Sequence, residues 1–189
     1  MSSTDATLDN ASRQHLLQVA RDSIAFGLQH GRPLPVAPND FPEALQVPRA
    51  TFVTLHEDGE LRGCIGTLEA HQALVKDVAD NAFSAAFRDQ RFMPLRSEEF
   101  PRLDIHISVL SPAEPMTFRD EADLLAQLRP GIDGLILTAS GHRGTFLPSV
   151  WESLPRPEAF LRHLKCKAGL PAGYWSPDLR IQRYTTEAF

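Results

Sequence analysis

The residues best suited to chemistry are concentrated in one short run. Positions 61–67 read Leu-Arg-Gly-Cys-Ile-Gly-Thr, which sets the thiol of Cys64 two residues from the guanidinium of Arg62, with glycines at 63 and 66 and a hydroxyl at Thr67. A thiolate is a nucleophile, redox centre or metal ligand, and a nearby cation favours it. On an extended strand Arg62 and Cys64 share a face, because side chains alternate. Glycine within a strand marks a bulge or a close backbone approach; here the missing side chains would leave room for a ligand beside the thiol. Cys64 is therefore the candidate catalytic residue, and Arg62, Gly63, Gly66 and Thr67 are candidate ligand contacts. The plainer alternative is a small buried cysteine, a residue type common in cores, beside an edge arginine paired with Glu60 or Asp58.

Other polar residues join the candidate set. Arg88, Asp89 and Arg91 follow an alanine-rich apolar segment. Arg88 and Arg91 could wall a binding site; with Asp89 they could equally form a cationic helix cap and an ion pair. Thr145 and Phe146 open the run Thr-Phe-Leu-Pro, read as an apolar loop able to line a pocket. Lys165 and Lys167 near a helix C-terminus complement its dipole. The seven histidines are scattered, with no HExxH and no tight His/Cys spacing, so no metal is expected. His56, Cys64 and His106 could lie on adjacent strands, but in the expected hairpin register His56 faces away from Cys64. No GxSxG, P-loop or GxGxxG is present, and no cofactor is specified.

These residues need elements to position them. A helix is expected over Ala11–His30, capped by Asn10 or Ser12 and ended by Gly31. The five prolines of Arg32–Pro48 predict an extended arm without helix. Residues 50–57 are strand-forming, Asp58-Gly59 is a two-residue hairpin turn, and Glu60–Leu68 returns. In that register Val53 faces Cys64 and Leu55 faces Arg62. A helix over His71–Asp89, a polar connection over Gln90–Arg102 and a strand over Leu103–Leu110 follow. Then come a short helix (Asp120–Leu128), a buried strand (Gly134–Ala139), a turn (Ser140–Gly144), a helix (Glu158–Ala168) and a last strand (Leu179–Thr185). Without a regular βαβ rhythm the fold class is α+β, a mostly antiparallel sheet flanked by helices. Residues 1–9 read as a disordered tail and 10–189 as one domain.

The 189 residues are 42% hydrophobic with a formal net charge of −5. A mild acidic balance argues against a dedicated DNA binder or a polybasic membrane binder. Two widely separated cysteines make no disulfide framework, and neither a signal-like leader nor a membrane-length apolar stretch stands out. The expectation is a cytoplasmic protein with reduced thiols.

The RGCIGT run resembles the signature of the AMMECR domain family, whose prokaryotic members are called AmmeMemoRadiSam system protein A. Ala85–Leu95 (AAFRDQRFMPL), Leu103–Ser111 (LDIHISVLS), Gly141–Val150 (GHRGTFLPSV) and Phe160–Leu170 (FLRHLKCKAGL) are similar to further family blocks. The resemblance spans roughly residues 10–186. It departs at His106, where many bacterial relatives carry an acidic residue, and at Lys165, where many carry a cysteine. It implies a larger and a smaller lobe with a cleft between them, and a functional association with a Memo-like protein and a radical-SAM protein. It implies no settled reaction. The expected function is binding of a small anionic or nucleotide-like ligand beside the RGCIGT strand, with Cys64 thiol chemistry; the alternative is a non-enzymatic adaptor of that system.

Overall fold

The computed structural model describes residues 7–189. The chain divides into two compact units, one running to Ser111 and recovering Glu187–Phe189, the other spanning Pro112–Thr186.

The first unit begins with α1 (Asn10–His30), whose N-cap is Asp9: its carboxylate accepts from the Ser12 N–H at 2.7 Å. The expected disordered tail is thus corrected at its end. Leu8 is buried and its N–H donates to the Glu187 carboxylate, so both residues are tied down, while Met1–Ala6 lie outside the described residues. The proline-rich arm also departs from expectation, since one turn of 3₁₀ helix (Pro38–Asp40) and a single-turn helix α2 (Glu43–Gln46) fit between its prolines. Both start beside a proline, where the missing N–H costs nothing. Strands β1 (Thr51–Glu57) and β2 (Glu60–Gly66) form the hairpin, with Asp58 and Gly59 both at positive φ (52° and 85°) as a primed two-residue turn requires. Then come α3 (Leu74–Phe87) and β3 (Leu103–Leu110). Val53, Leu55, Ile105, Ile107 and Val109 alternate onto one sheet face and join the core built on α1 and α3.

The second unit contains β4 (Glu114–Pro115), α4 (Glu121–Gln127), β5 (Gly134–Ala139), β6 (His142–Phe146), α5 (Pro157–Lys167) and β7 (Arg180–Tyr184). Its sheet runs β4-β7-β5-β6, all antiparallel, so the apolar β5 is central and β6 is an edge. The expected turn over Ser140–Gly144 shrinks to Ser140-Gly141, again with two positive φ values, 49° and 77°. The core is separate from that of the first unit and includes Trp151, stacked on Phe160 at 3.8 Å between ring centroids.

The chain then crosses back. A strand absent from the sequence reading, β8 (Thr186–Ala188), closes the first sheet in the order β2-β1-β3-β8. Ile107 and Phe189 exchange N–H···O bonds of 2.8 and 3.0 Å, the reciprocal pattern of antiparallel pairing. The α+β class therefore holds as two antiparallel four-stranded sheets. Among the described residues no helix is long and apolar enough to cross a membrane.

Candidate functional site

The hairpin register differs from expectation by a bulge. Leu55 pairs with Gly63 but His56 pairs with Leu61, so Arg62 is the extra residue and Cys64 faces Thr54 rather than Val53. An inserted residue of this kind bends the strand and re-aims its side chains. Thr54 belongs to the sheet face opposite Val53 and Leu55, and Cys64 Sγ lies 3.2 Å from its Oγ1. His56 follows Thr54 by two residues and so shares that face with Cys64, which corrects the expectation that it points away. His106 pairs with Thr54 from β3 and its ring meets that of His56 edge-on at 5.3 Å. Among the described residues, no three His, Cys, Asp or Glu side chains converge as a metal site would need.

The glycines are there for packing. A Cβ at Gly63 would sit 2.1 Å from the Ala85 carbonyl oxygen, so α3 rests directly on this strand. A Cβ at Gly66 would lie 2.2 Å from the Phe52 Cγ. The expected hollow beside the thiol is corrected accordingly: helix backbone occupies the space at 63 and an aromatic ring occupies it at 66. Thr67 turns toward α3, its hydroxyl donating to Asp77 Oδ2 at 2.9 Å. The buried Asp77 carboxylate also accepts from Thr51 at 2.7 Å, Asn81 at 3.0 Å and Gln72 at 3.2 Å. This network ties the strand ends to α3. Its signal in the sequence was two polar residues four apart, Asp77 and Asn81, on an otherwise apolar helix face.

β2 is an edge strand, and the segment after α3 covers its open side. The buried Asp89 carboxylate accepts from the Cys64 N–H at 3.0 Å and from Arg91 Nη2 at 2.7 Å and Nε at 3.0 Å. Arg91 holds the Asp89 carboxyl well below the usual carboxylate range, against the opposing effect of burial. Asp89 in turn raises Arg91 through the same hydrogen-bonded pair. Arg91 is more than half exposed.

Arg62 is not paired with Glu60 or Asp58 as the plainer reading expected. Its Nε and Nη2 donate to Glu99 at 2.9 and 3.2 Å, and Nη2 also donates to the Met93 carbonyl at 2.8 Å. Both side chains are only 11–12% exposed. Arg62, above all, brings the Glu99 carboxyl down to about 2. Glu99 is a partner that no local spacing announces. Arg62 Nη1 is buried and has no hydrogen-bond partner among the described residues. Arg88 is exposed, its guanidinium 4.9 Å from the Phe83 ring centroid.

Thr145 and Phe146 are not loop residues. They lie on β6 in the second unit, where the Thr145 hydroxyl donates to the Leu135 carbonyl at 2.8 Å and Phe146 packs edge-on against Phe160 at 5.2 Å. Tyr184, whose hydroxyl reaches the Phe146 carbonyl at 3.0 Å, has its pKa pushed up to about 12 by burial. Lys165 has a role beyond the helix end. It lies in the last turn of α5, as expected, but is 1% exposed, with Nζ 3.3 Å from Glu121 and 5.6 Å from the Trp175 ring centroid.

Cys64, Thr54, Arg62, Glu99, Asp89 and Arg91 thus form one cluster on and beside β2. Chemically it offers a half-buried thiol, an accessible guanidinium and an unmet donor. A thiol nucleophile needs a base within hydrogen-bond reach. The side chain hydrogen-bonded to Cys64 Sγ is a threonine hydroxyl; His56 shares that face from the adjacent strand without a hydrogen bond to the thiol among the described residues, and His106 stands two strands away, about 9–10 Å by strand spacing.

Fold and cluster define an α+β protein with two antiparallel sheets and an arginine–carboxylate-buttressed cysteine strand. The chain belongs to the AMMECR1 family, whose sequence pattern matches residues 17–189. A protein of Methanothermobacter thermautotrophicus is 36% identical over 97% of this chain and 96% of its own length. One from Thermotoga maritima is 41% identical over 78% of this chain and 82% of its own. The crystal structure of the uncharacterized protein PH0010 from Pyrococcus horikoshii superposes with a TM-score of 0.84 at 32% identity, covering 92% of this chain and 88% of that one.

Proposed function

We propose that this protein binds a small anionic ligand at the β2 cluster, with Arg91 and Cys64 as its contacts and Arg62 as the residue that holds the surrounding loop. The observation that carries the reading is the combination at one strand edge: an exposed guanidinium oriented by the buried Asp89, beside a half-buried thiol. Binding is favoured over covalent catalysis because Cys64 has a hydroxyl rather than a base as its side-chain neighbour. The test is protection of the thiol. In a Cys166→Ser protein, the rate of Cys64 alkylation is measured with and without the protein-free small-molecule fraction of host cells. Slower alkylation supports the reading and an unchanged rate sinks it.

A second reading has its own support. Met93, 81% exposed on the loop that covers β2, is a large apolar side chain presented to solvent next to Phe92 and Arg91. Methionine suits adaptable protein contacts. This favours the adaptor function, with a Memo-like or radical-SAM protein as the partner that the family resemblance implies. Met93→Asp would then abolish co-purification of that partner while leaving thiol protection intact.

A further inference from the structure

A second site lies wholly within the second unit and uses none of the β2-cluster residues. The segment that continues β4 (Met116–Arg119) and the segment leading into β7 (Trp175–Arg180) enclose an open groove of about 500 Å³. That volume suits a drug-sized ligand. One wall carries Phe118 and Arg119, the other Trp175 and Arg180.

Trp175 is held in place. Phe118 packs against it with ring centroids 5.6 Å apart, and the buried Lys165 amine sits 5.6 Å from its centroid, anchored by Glu121. The lysine is buried, whereas the indole is 38% exposed and lines the groove. A fixed, half-open indole is a stacking platform for a flat π system.

The two arginines add positive charge. Arg180 Nη1 donates to the carbonyls of Pro177 and Leu179, and among the described residues Nε and Nη2 have no acceptor. Arg119 is 87% exposed and is met on one side by Asp123. Asp178, in the same segment as Trp175 and Arg180, accepts from Ser140 and Tyr174. Guanidinium groups from two walls suit a phosphate dianion better than a single carboxylate.

From this we infer that the groove binds a nucleoside monophosphate, the base stacked on Trp175 and the phosphate between Arg119 and Arg180. The inference is independent of the β2 reading. The chain has two tryptophans, and the other, Trp151, is 3% exposed, so emission quenched by a ligand reports on Trp175.

The experiment titrates the full chain with adenosine 5′-monophosphate and follows tryptophan emission. Saturable quenching with half-saturation below about 1 mM is expected. Adenosine and inorganic phosphate should each bind at least about ten-fold more weakly, because each supplies half of the contacts. Arg180→Gln should weaken the nucleotide by roughly ten-fold, with Trp151 emission unchanged as the check on folding. No saturation by 10 mM, equal binding of phosphate or adenosine alone, no effect of Arg180→Gln, or tighter binding of an oligonucleotide than of the mononucleotide would overturn the inference. Since the signal comes from Trp175, such a failure leaves the β2 reading untouched.

Discussion

At the scale of single residues, Gly63 and Gly66 look alike in sequence but differ in what stands against them. The space beside Gly63 holds helix backbone, at 2.1 Å from a notional Cβ, and backbone yields only if α3 moves. The space beside Gly66 holds the Phe52 side chain, which can swing about its Cα–Cβ bond without moving a helix. Gly63→Ala should therefore cost about 3 kcal/mol or more, the upper range for overpacking, and Gly66→Ala about 1–2 kcal/mol. Gly173→Ala, with nothing within 4 Å, should be close to neutral. Urea denaturation of the three variants ranks them, and an equal cost for the first two contradicts the packing account. That glycine in this strand marks a close approach was legible in the sequence. What approaches was not, because Ala85 is 22 residues away and only the folded chain brings its carbonyl there. Cys64 was legible as a candidate for the same local reason, whereas its neighbour Thr54 depended on a register that the bulge changes.

At the scale of elements, the segment between α3 and β3 covers the open edge of β2, a side that would otherwise present unpaired backbone groups. Two carboxylates fasten it: Asp89 to the Cys64 N–H, and Glu99 to the Arg62 guanidinium and, at 2.7 Å, to the Arg96 N–H. Arg62 draws the Glu99 carboxyl from its ordinary 4.5 to about 2. The folded value lies below the unfolded one, so this contribution is complete above about pH 4.5 and disappears as pH falls through 2. Glu99→Gln should cost about 2 kcal/mol at pH 7, within the range of hydrogen bonds to charged groups, and should flatten the stability profile between those two pH values. Chemical denaturation from pH 2 to 7 measures both effects, and a variant with an unchanged profile would show that another group carries the acid sensitivity. The primed turn at Asp58-Gly59 and the apolar periods of α1 and α3 could be read directly. The bulge could not, since one extra residue leaves the local hydrophobic pattern almost unaltered. Glu99 could not either, because an ion pair spanning 37 positions has no local signature.

At the scale of the whole molecule, the last residues complete the first sheet rather than the second. Phe189 exchanges backbone bonds with Ile107, and Glu187 receives Arg13 Nη2 at 2.7 Å and the Leu8 N–H. Deleting Thr186–Phe189 should lower the stability of the first unit by about 2–4 kcal/mol. Amide exchange should accelerate at Ile107 and stay unchanged at Leu137 on β5, because each unit has its own core. Equal acceleration at both would contradict that division. The sequence showed the class, α+β and antiparallel, and the family to which the chain belongs. It hid the crossing, because residues 179–189 read as one strand and its tail, and the break near Thr185 carries neither glycine nor proline. It also hid the Trp175 groove, since no spacing relates residues 116–119 to 175–180.

The central claim, that the β2 cluster holds a small anion against Arg91 and Cys64, is tested most directly at the thiol. In a Cys166→Ser background, Cys64 is alkylated with iodoacetamide in the presence and absence of the protein-free small-molecule fraction of host cells. The account predicts a rate reduced by about five-fold or more, corresponding to roughly 80% occupancy, and full loss of that protection in an Arg91→Gln variant. The same alkylation rate with and without the fraction, or protection that persists without the Arg91 guanidinium, would contradict it.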